Sequence, residues 1–294
     1  MTSPRPRYRP ALRVGFVGLG DMGAPIARRI ADSGFPTAVW ARRPESLAPF
    51  VDVKHAPDLA SLAAGCDVVG ICVFDDEDVR DVMLAPGGLL AGASPATVFM
   101  VHSTIAVSTC RELAVVAQNR GVVVIDVPVS GSRLRAEAGT LSVMVGGPVE
   151  AVQRVRPVLD TFAVHVYHLG GLGSGLVAKA LNNVLFFANL HLAATAVETA
   201  AGLGLDETTA ATVLRSSSGS SVALTSMLDM LVTDGNRAEH ARRAASKDLA
   251  VFTELRRAAG LPAVELEQIV AQNAGHVLPE PGRFTARVDS LPRP

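Results

Sequence analysis

The segment from Val14 to Gly23 reads Val-Gly-Phe-Val-Gly-Leu-Gly-Asp-Met-Gly, and it decides the fold. A short apolar run leads into a GxGxxG pattern, and a helix-like stretch follows directly. Gly18 permits a tight turn, Gly20 lets the backbone approach a pyrophosphate, and Gly23 lets the helix pack on the strand. The start of that helix would offer unpaired N–H groups to phosphates. The segment therefore predicts a dinucleotide-binding turn, with contacts from Gly18, Leu19, Gly20, Asp21, Met22 and Gly23.

Short runs rich in Val and Ile alternate with helix-like segments through the first part of the chain. The strand candidates cover residues 12–17, 36–40, 67–73, 97–102 and 122–126. Such alternation indicates βαβ units and a doubly wound parallel sheet with helices on both faces. Two further strand candidates, at 141–145 and 163–167, are expected to extend the same sheet.

The glycine-rich stretch at 170–175 marks a change in character. An almost uninterrupted apolar stretch follows over 176–203, and helical patterns continue after it without a convincing strand. A helix that is apolar around most of its circumference is expected to be buried on several sides. The sequence thus predicts an α/β Rossmann-type domain over 12–170 and an all-helical domain over 171–294, the latter beginning with a long interdomain helix. The proline-rich tail at 278–294 is expected to be loosely ordered.

Composition limits the classes of function that fit this chain. Its 294 residues are 49% hydrophobic and 19% charged, which supports a large core rather than disorder. The formal net charge of -1 leaves no basic excess for nucleic acid, and no basic amphipathic stretch suggests a membrane partner. The three cysteines form no CxxC pair, and the N-terminus does not resemble a signal peptide. No membrane-spanning helix is predicted, and a cytoplasmic protein is expected.

The end of the second strand candidate bears on the choice of cofactor. An NAD-binding fold usually places Asp or Glu there to bind the ribose 2′-hydroxyl. This chain has Arg42 and Arg43 instead, which suit the 2′-phosphate of NADP through charge-assisted hydrogen bonds. A solvated surface pair is the alternative interpretation. The sequence predicts NADP as the preferred cofactor, with NAD also possible.

Three later segments and one lysine motif carry a family resemblance. They are Asp-Val-Pro-Val-Ser-Gly-Ser at 126–132, Gly-Thr-Leu-Ser-Val-Met-Val-Gly-Gly at 139–147, Lys-Ala-Leu-Asn-Asn at 179–183 and Lys-Asp-Leu at 247–249. With the N-terminal glycine turn, they resemble the β-hydroxyacid dehydrogenase family over roughly residues 12 to 275. That family includes 3-hydroxyisobutyrate dehydrogenases, tartronate semialdehyde reductases and glyoxylate/succinic semialdehyde reductases, and 6-phosphogluconate dehydrogenase is a relative.

Lys179 is the only lysine in the long apolar stretch. Burial, and the positive charge of a nearby nicotinamide, would both lower the pKa of its ammonium toward a value useful for proton transfer. A lysine that snorkels from the helix end is the alternative. The family resemblance implies that Lys179 is the general acid/base. Asn183 lies one helical turn later on the same face, and the resemblance makes it the catalytic partner. Asn182 is expected to point away and to be structural.

The segment after the strand at 122–126 would bind the substrate carboxylate. Successive backbone N–H groups at a glycine turn can hold an anion, and the resemblance assigns this role to Ser130, Gly131 and Ser132. Ser132 stands where the family usually has a second glycine. Bulkier residues, Arg133, Leu134 and Arg135, replace residues that are typically small. The arginines either favour a substrate with a second acidic group or face solvent, and the sequence leaves both open.

The resemblance also implies further cofactor contacts, at Val73, Phe74, Asp78, Thr104 and Lys247. The acidic residues around Asp78 are expected to complement the dipole of a helix start, and no metal site is predicted. His102 stands where relatives commonly carry Asp and is expected to be structural. Asp248 is expected to fix the local helix.

Together these features predict an enzyme: an NADP-dependent dehydrogenase for a small β-hydroxy acid, or a reductase for its semialdehyde. An imine reductase-like NADPH enzyme and a catalytically silent NADP-binding module are the alternatives, and Lys179 with Asn183 argues against both. Decarboxylation as in 6-phosphogluconate dehydrogenase fits less well, because the chain lacks that enzyme's longer helical part. The apolar 176–203 helix predicts a homodimer or homotetramer formed through the helical domains.

Overall fold

The structure is a computed structural model that describes residues 12–231 and 235–273. The expectations for the tail at 278–294 and for the segment before residue 12 lie outside the described residues. Contacts divide the chain into two compact units, at residues 1–179 and 180–294. This division falls within a long helix, whereas the predicted one lies at the glycine-rich stretch before it.

Nine strands are found in the described residues, all in the first unit. They are β1 (Val14–Val17), β2 (Thr37–Trp40), β3 (Lys54–His55), β4 (Val68–Ile71), β5 (Val98–Val101), β6 (Val123–Asp126), β7 (Val129–Ser130), β8 (Leu141–Val145) and β9 (Ala163–His168). All seven strand candidates are therefore confirmed, with each end within two residues of the observed one. The two-residue strands β3 and β7 were not predicted, because they are too short to show a periodic pattern.

The helices of the first unit are α1 (Gly23–Asp32), α2 (Leu59–Ala64), α3 (Asp76–Leu84), α4 (Leu89–Gly92), α5 (Val107–Gln118), α6 (Ser132–Glu137) and α7 (Val149–Leu159), with a 3-10 segment at Pro44–Phe50. The long helix α8 (Ser174–Gly202) leads into the second unit. That unit adds α9 (Glu207–Ser216), α10 (Val222–Leu231), α11 (Gly235–Ala258) and α12 (Glu265–Asn273).

The main sheet is parallel and has the order β3-β2-β1-β4-β5-β6. This arrangement confirms the predicted Rossmann-type fold. The expectation that the last two strands extend this sheet is wrong, because β7, β8 and β9 form a separate three-stranded sheet. Within it β7 is antiparallel to β8, while β8 and β9 are parallel. One antiparallel bridge, between Asp126 and Gly146, joins the two sheets.

The core of the first unit lies against the strands, which explains their apolar sequences. Side chains of β1, β5, β8, α1 and α7 form one cluster, and Phe16, Ile26 and Phe162 in it are fully buried. Strands covered on both faces read as continuous apolar runs, as β1, β4 and β5 do. Asp58 and Asp75 cap α2 and α3 by accepting hydrogen bonds from the backbone N–H groups of the first turn.

In its described residues, the second unit consists of helices and the turns that join them. Its core is an apolar cluster with members on α8 to α12, and Ala180, Leu190 and Met227 in it are fully buried. An ion pair between Arg256 Nε and Glu267 Oε2, at 2.6 Å, joins α11 to α12.

Helix α8 is exposed along part of its surface. Its exposed apolar side chains are spaced mainly by four residues and so share one face, namely Val177, Leu181, Leu185 and Leu192. The expectation of burial on several sides is therefore wrong for a single chain. By length and composition alone α8 could cross a membrane, which is weak evidence, since the core helix of a water-soluble domain passes the same test.

Candidate active site

The predicted dinucleotide turn lies between β1 and α1. A side chain on Gly18 would overlap the carbonyl group of Cys72, and the φ angle of Gly18 is +89°. A side chain on Gly23 would overlap the carbonyl oxygen of Gly18. Gly20 differs from both, because no atom lies within 4 Å of the position a Cβ would take. Gly18 and Gly23 are thus required by the turn itself, whereas Gly20 leaves open space for a ligand's phosphates.

The other residues of the turn contribute in different ways. No side chain caps the N-terminus of α1, so the helix start is open to an anion. Leu19 is buried in the core, and only its backbone can meet a cofactor. Asp21 is exposed, and Met22 is half-buried. These features fit a dinucleotide pyrophosphate, which backbone groups would hold.

The two arginines after β2 are both exposed. Arg42 Nη1 lies 3.4 Å from Asp78 Oδ1, so two of the predicted cofactor residues contact each other. Arg42 is 78% exposed in its side chain, and the pair is too solvated to hold the guanidinium firmly. A phosphate dianion could therefore replace Asp78 as the partner of Arg42.

The loop after β4 is tied to the end of β5. The backbone N–H of Val73 donates to Ser103 Oγ at 2.9 Å, and the same hydroxyl donates to the carbonyl of Val73 at 2.8 Å. The N–H of Ala106 donates to Asp76 Oδ1 at 3.0 Å. These bonds hold the loop that contains Val73 and Phe74 beside the turn that contains Thr104. Sequence reasoning passed over Ser103, although a serine at a strand end offers the hydroxyl that such a bond needs.

The predicted carboxylate segment has an unusual backbone. Gly131 has a φ of +140°, and Ser132 has a φ of +64°, a region that favours glycine. The departure noted in the sequence, serine where the family usually has glycine, therefore places a side chain on a left-handed residue. The Cβ position of Gly131 is 3.0 Å from Arg135 Cδ, so the stem of Arg135 lies over this glycine.

The two arginines of this segment differ in their surroundings. Arg133 Nε contacts Glu137 Oε1 at 2.7 Å, and its Nη1 lies 3.5 Å from Asp21 Oδ1. Arg133 thus connects the carboxylate segment to the dinucleotide turn. Arg135 is exposed and forms no ion pair with any residue that the structure describes. Both arginines are exposed, and Arg133 has acidic partners within the chain, so the choice between a second acidic group on the substrate and simple exposure to solvent stays open.

His102 is a structural residue, as expected. Its Nδ1 lies 2.9 Å from the carbonyl oxygen of Val127, and its ring stacks on Phe16. Burial lowers the pKa of His102 from 6.5 to about 4, which keeps the imidazole neutral. A neutral ring must then donate from Nδ1 to the carbonyl.

Asp126, the last residue of β6, is a site residue that sequence reasoning left without a role. Its Oδ1 accepts a hydrogen bond from the N–H of Gly173 at 2.7 Å, and its Oδ2 accepts one from Leu176 at 2.8 Å. Helix α8 therefore starts at the carboxyl end of β6. Lys179, in the second turn of α8, is half-buried rather than fully buried. Asp126 belongs to the motif at 126–132 that carries the family resemblance. No local pattern indicated that its partner lies 47 residues away.

Within the second unit, Asn183 is held by a buried carboxylate. Its Nδ2 donates to Asp248 Oδ2 at 2.6 Å, and Asp248 is 5% exposed. Lys247 Nζ lies 3.7 Å from Asp248 Oδ1. Asn182 Nδ2 donates to Asn183 Oδ1 at 3.0 Å. Two expectations are corrected: Asn182 does not point away, and Asp248 binds a residue of another helix rather than fixing its own. Both corrections follow from the need of a buried amide for partners.

Among residues 12–231 and 235–273, no three His, Cys, Asp or Glu side chains lie close enough to hold a metal ion. The acidic residues near Asp78 are arranged as a helix start, because Asp75 Oδ1 accepts from the N–H of Asp78 at 3.0 Å.

Comparisons with known proteins agree with this geometry. A profile for the NAD-binding domain of 6-phosphogluconate dehydrogenase matches residues 13–170. A second profile, for the NAD-binding region of NADP-dependent 3-hydroxyisobutyrate dehydrogenase, matches residues 173–277. The chain is 35% identical to a 3-hydroxyisobutyrate dehydrogenase of Pseudomonas aeruginosa over 215 residues, which is 72% of each chain.

Two solved structures are also similar. One is 3-hydroxyisobutyrate dehydrogenase of Mycobacterium tuberculosis with L-serine, which is 28% identical with a TM-score of 0.75. That match covers 90% of this chain and 93% of the other. The second is Psf3 in complex with NADP+ and 2-OPP, which is 29% identical with a TM-score of 0.76 and covers 89% of this chain and 93% of the other.

Proposed function

Since the chain belongs to the β-hydroxyacid dehydrogenase family, as both profile matches show, we propose that it transfers a hydride between NADP(H) and a small β-hydroxy acid or its semialdehyde. Members of this family share oxidoreductase activity with a nicotinamide dinucleotide. The preference for NADP, the substrate class and the roles of individual residues are our proposal.

One observation carries the proposal: the helix that contains Lys179 starts at the edge of the sheet where the dinucleotide turn lies. All six strands of the main sheet are parallel, so their carboxyl ends share one edge. The glycine turn follows β1 at that edge, and Asp126 binds the start of α8 at the end of β6. A helical amine and a dinucleotide turn at one sheet edge fit hydride transfer at a carbon and proton transfer at the oxygen bonded to it.

In the proposed reaction, each group of residues would have a separate role. The backbone between Gly18 and Gly23 would hold the pyrophosphate, and a bound nicotinamide would supply or accept the hydride. The N–H groups of Ser130, Gly131 and Ser132 would hold the substrate carboxylate. During oxidation, Lys179 Nζ would accept the proton of the substrate hydroxyl, and during reduction it would return that proton to the oxygen.

Asn183 would orient the substrate hydroxyl. The atom of Asn183 that faces the Asp248 carboxyl group is the donor Nδ2. The Oδ1 of Asn183 already accepts from Asn182. Within the part of the chain that the structure describes, these two bonds leave one N–H of Nδ2 and one lone pair of Oδ1 for a substrate.

The preference for NADP rests on Arg42 and Arg43, which are both exposed next to the dinucleotide turn. We expect the double variant Arg42→Ala/Arg43→Ala to lower kcat/KM with NADPH at least about 100-fold, because charge-assisted contacts to a phosphate are lost. Its kcat/KM with NADH should change little. Arg156→Ala, which removes an exposed arginine from α7, is the matched control. A wild-type preference for NADH would overturn the cofactor assignment.

The central test is a panel of 3-hydroxy acids with NADP+ and of short semialdehydes with NADPH, followed by absorbance of the reduced cofactor. Turnover of at least one pair of acid and semialdehyde is expected. If none reacts and cyclic imines are reduced instead, the imine reductase alternative replaces this proposal. If NADPH binds and neither panel reacts, the chain is a cofactor-binding module.

Two substitutions distinguish proton transfer by Lys179 from the effect of its positive charge alone. Lys179→Ala and Lys179→Arg should both lower kcat by about 1000-fold, because arginine keeps the charge but cannot exchange its proton near neutral pH. Lys54→Ala, at the exposed strand β3, is the control. Near-normal turnover in either Lys179 variant would remove this amine from the mechanism.

We also propose a cytoplasmic homo-oligomer that associates through the exposed apolar face of α8. Large exposed apolar side chains on one helix face favour burial against another chain. Light scattering should give a dimer or tetramer, and Leu185→Glu with Leu192→Glu should shift it toward the monomer. A monomeric wild-type protein would contradict this proposal.

A further inference from the structure

The carboxylate of Asp126 occupies a space that its neighbours leave for it. The side chain is fully buried, and both of its oxygens accept hydrogen bonds from the start of α8. A Cβ on Gly146 would collide with Oδ1, whereas a Cβ on Gly175 would collide first with the carbonyl oxygen of Met144 and would also lie 2.8 Å from Oδ2. Because Gly146 has no side chain where the carboxylate lies, and two N–H groups at the start of α8 bind it, the position of this group is a built feature of the fold.

The backbone of Asp126 is also fixed. Its N–H donates to the carbonyl of Gly146 at 3.0 Å, and its carbonyl accepts from the N–H of Gly146 at 2.9 Å. Main chain and side chain thus bind two different segments, the loop after β8 and the start of α8. The residue connects the main sheet to the helix that contains Lys179.

The burial of Asp126 distinguishes it from the ordinary helix caps of this chain. Asp58 and Asp206 cap α2 and α9 in solvent, and hydrogen bonds lower the pKa of each. Burial instead raises the pKa of Asp126, despite the backbone N–H groups that bind it. Burying a carboxylate costs more free energy than leaving a helix cap exposed to solvent. The buried position of Asp126 therefore points to a function other than capping alone.

Helix α8 begins at Ser174, and Lys179 is six residues after Gly173. The two bonds from Asp126 fix the first turn, and a rigid helix passes that restraint to the second turn. Ser130 follows Asp126 by four residues, through β7. We propose that Asp126 is a positioning residue, whose carboxylate holds the start of α8 so that Lys179 stays at a set distance from Ser130 and Gly131. This inference rests on the proposed function.

Asp126→Asn is the test, because asparagine has the same shape but one oxygen. It keeps one bond to α8 and turns an NH2 group toward the second N–H donor. We expect kcat to fall by about 10- to 100-fold, as for a misplacement of the reacting groups by about 1 Å. KM for the substrate and the Kd for NADPH should change less than about threefold, because neither the carboxylate segment nor the dinucleotide turn is altered.

Asp58→Asn is the matched control, since it makes the same change at an exposed helix cap in the same unit. It should leave kcat and KM unchanged. Hydrogen exchange of the cofactor-free protein gives a readout that needs no substrate: the amides of Gly173 and Leu176 should exchange faster in Asp126→Asn than in wild type. In Asp58→Asn, only the amides of α2 should change.

Several results would overturn the inference. One is a kcat within twofold of wild type, and another is a loss shared equally by kcat, KM and cofactor affinity, which would indicate a general structural role. Unchanged exchange at α8 would also contradict it. If Asp126→Asn does not fold, Asp126→Ser keeps one acceptor in a smaller side chain, and the same criteria apply. An inactive wild type would refute the proposed function alone, because the exchange result is independent of it.

Discussion

The two units of this chain hold their functional groups by different means. In the first unit each functional segment is held through its backbone at a strand end: the glycine turn and the left-handed pair at Gly131 and Ser132 by their own φ angles, and Val73 by hydrogen bonds from its main chain to the Ser103 hydroxyl. In the second unit, side chains hold side chains, as in the pair formed by Asn183 and Asp248. The first arrangement is disrupted by adding a carbon atom, and the second by removing a charge.

The largest effect should come from adding a carbon to the turn of the first unit. Gly18→Ala would force a Cβ onto the carbonyl of Cys72 at a φ of +89°, and we expect a loss of about 3–5 kcal/mol in unfolding free energy. Gly20→Ala has open space around its Cβ position, so it should keep wild-type stability while binding NADPH more weakly. Urea unfolding and fluorescence titration measure the two quantities.

A result in which Gly20→Ala binds NADPH as tightly as wild type would show that the pyrophosphate lies elsewhere. Equal stability of Gly18→Ala and wild type would show that the turn tolerates a side chain, and the backbone argument for the first unit would fail.

In the second unit, the corresponding change is the removal of a carboxylate. Asp248→Ala leaves the amide of Asn183 and the ammonium of Lys247 without this acceptor, and we expect a loss of about 2–3 kcal/mol. Turnover should fall as well, because Asn183 is no longer oriented. Asp206→Ala, which removes an exposed cap from α9, should cost less stability and leave turnover unchanged. Unchanged turnover in Asp248→Ala would exclude an orienting role.

A third prediction concerns pH and the buried imidazole of the first unit. The pKa of His102 is lowered from 6.5 to about 4, so the unfolded chain binds a proton at this residue before the folded protein does. The contribution of His102 to stability is therefore complete above pH 6.5 and is lost as the pH falls toward 4. We expect a loss of about 2 kcal/mol between pH 7 and 4.5 from this residue.

His102→Asn is the comparison for that experiment, because the asparagine Nδ2 can donate to Val127 in place of the imidazole Nδ1 and does not titrate. Unfolding free energies of both proteins at pH 7 and 4.5 should show a steeper decline for wild type. Parallel declines would mean that His102 does not titrate between these pH values.

The smallest expected effect is an increase in the free energy of unfolding. Ser132→Gly removes a side chain from a left-handed residue, and we expect about 1 kcal/mol more stability from relief of that strain. Ala96→Gly, at a φ of +68° far from the carboxylate segment in sequence, is the control for the backbone effect alone. If only Ser132→Gly changes KM for the carboxylate substrate, the serine side chain takes part in binding. A loss of stability in both would contradict the strain argument.

The fold could be predicted from the sequence to a large extent because its signals are local. The glycine turn, the Val- and Ile-rich runs and the long apolar helix each appear in a few adjacent residues. The parallel orientation of five of the six main strands follows from the alternation of strands and helices, and β3 was not predicted. What failed was the continuation of that sheet, because the antiparallel strand β7 is two residues long and leaves no periodic signal.

The candidate site was predictable in part. Motifs predicted roles for its glycines, Lys179 and Asn183, and these roles stay predictions, while the structure places the dinucleotide turn and the start of α8 at one sheet edge. The hydrogen bonds of Asp126, Ser103 and Asp248 were not predicted, since each joins a partner 30 to 65 residues away. Hydrogen bonds of this kind depend on which segments the fold brings together, and the sequence around either partner does not encode them.

By itself, the sequence determined that a βαβ domain with a glycine turn precedes a helical region, because hydrophobic period and glycine position are properties of neighbouring residues. Only the tertiary structure decided that Asp126 is buried against the helix of Lys179 and that Asp248 holds Asn183. The physical reason is that a buried carboxylate needs donors around it, and those donors come from whatever segments the completed fold places there.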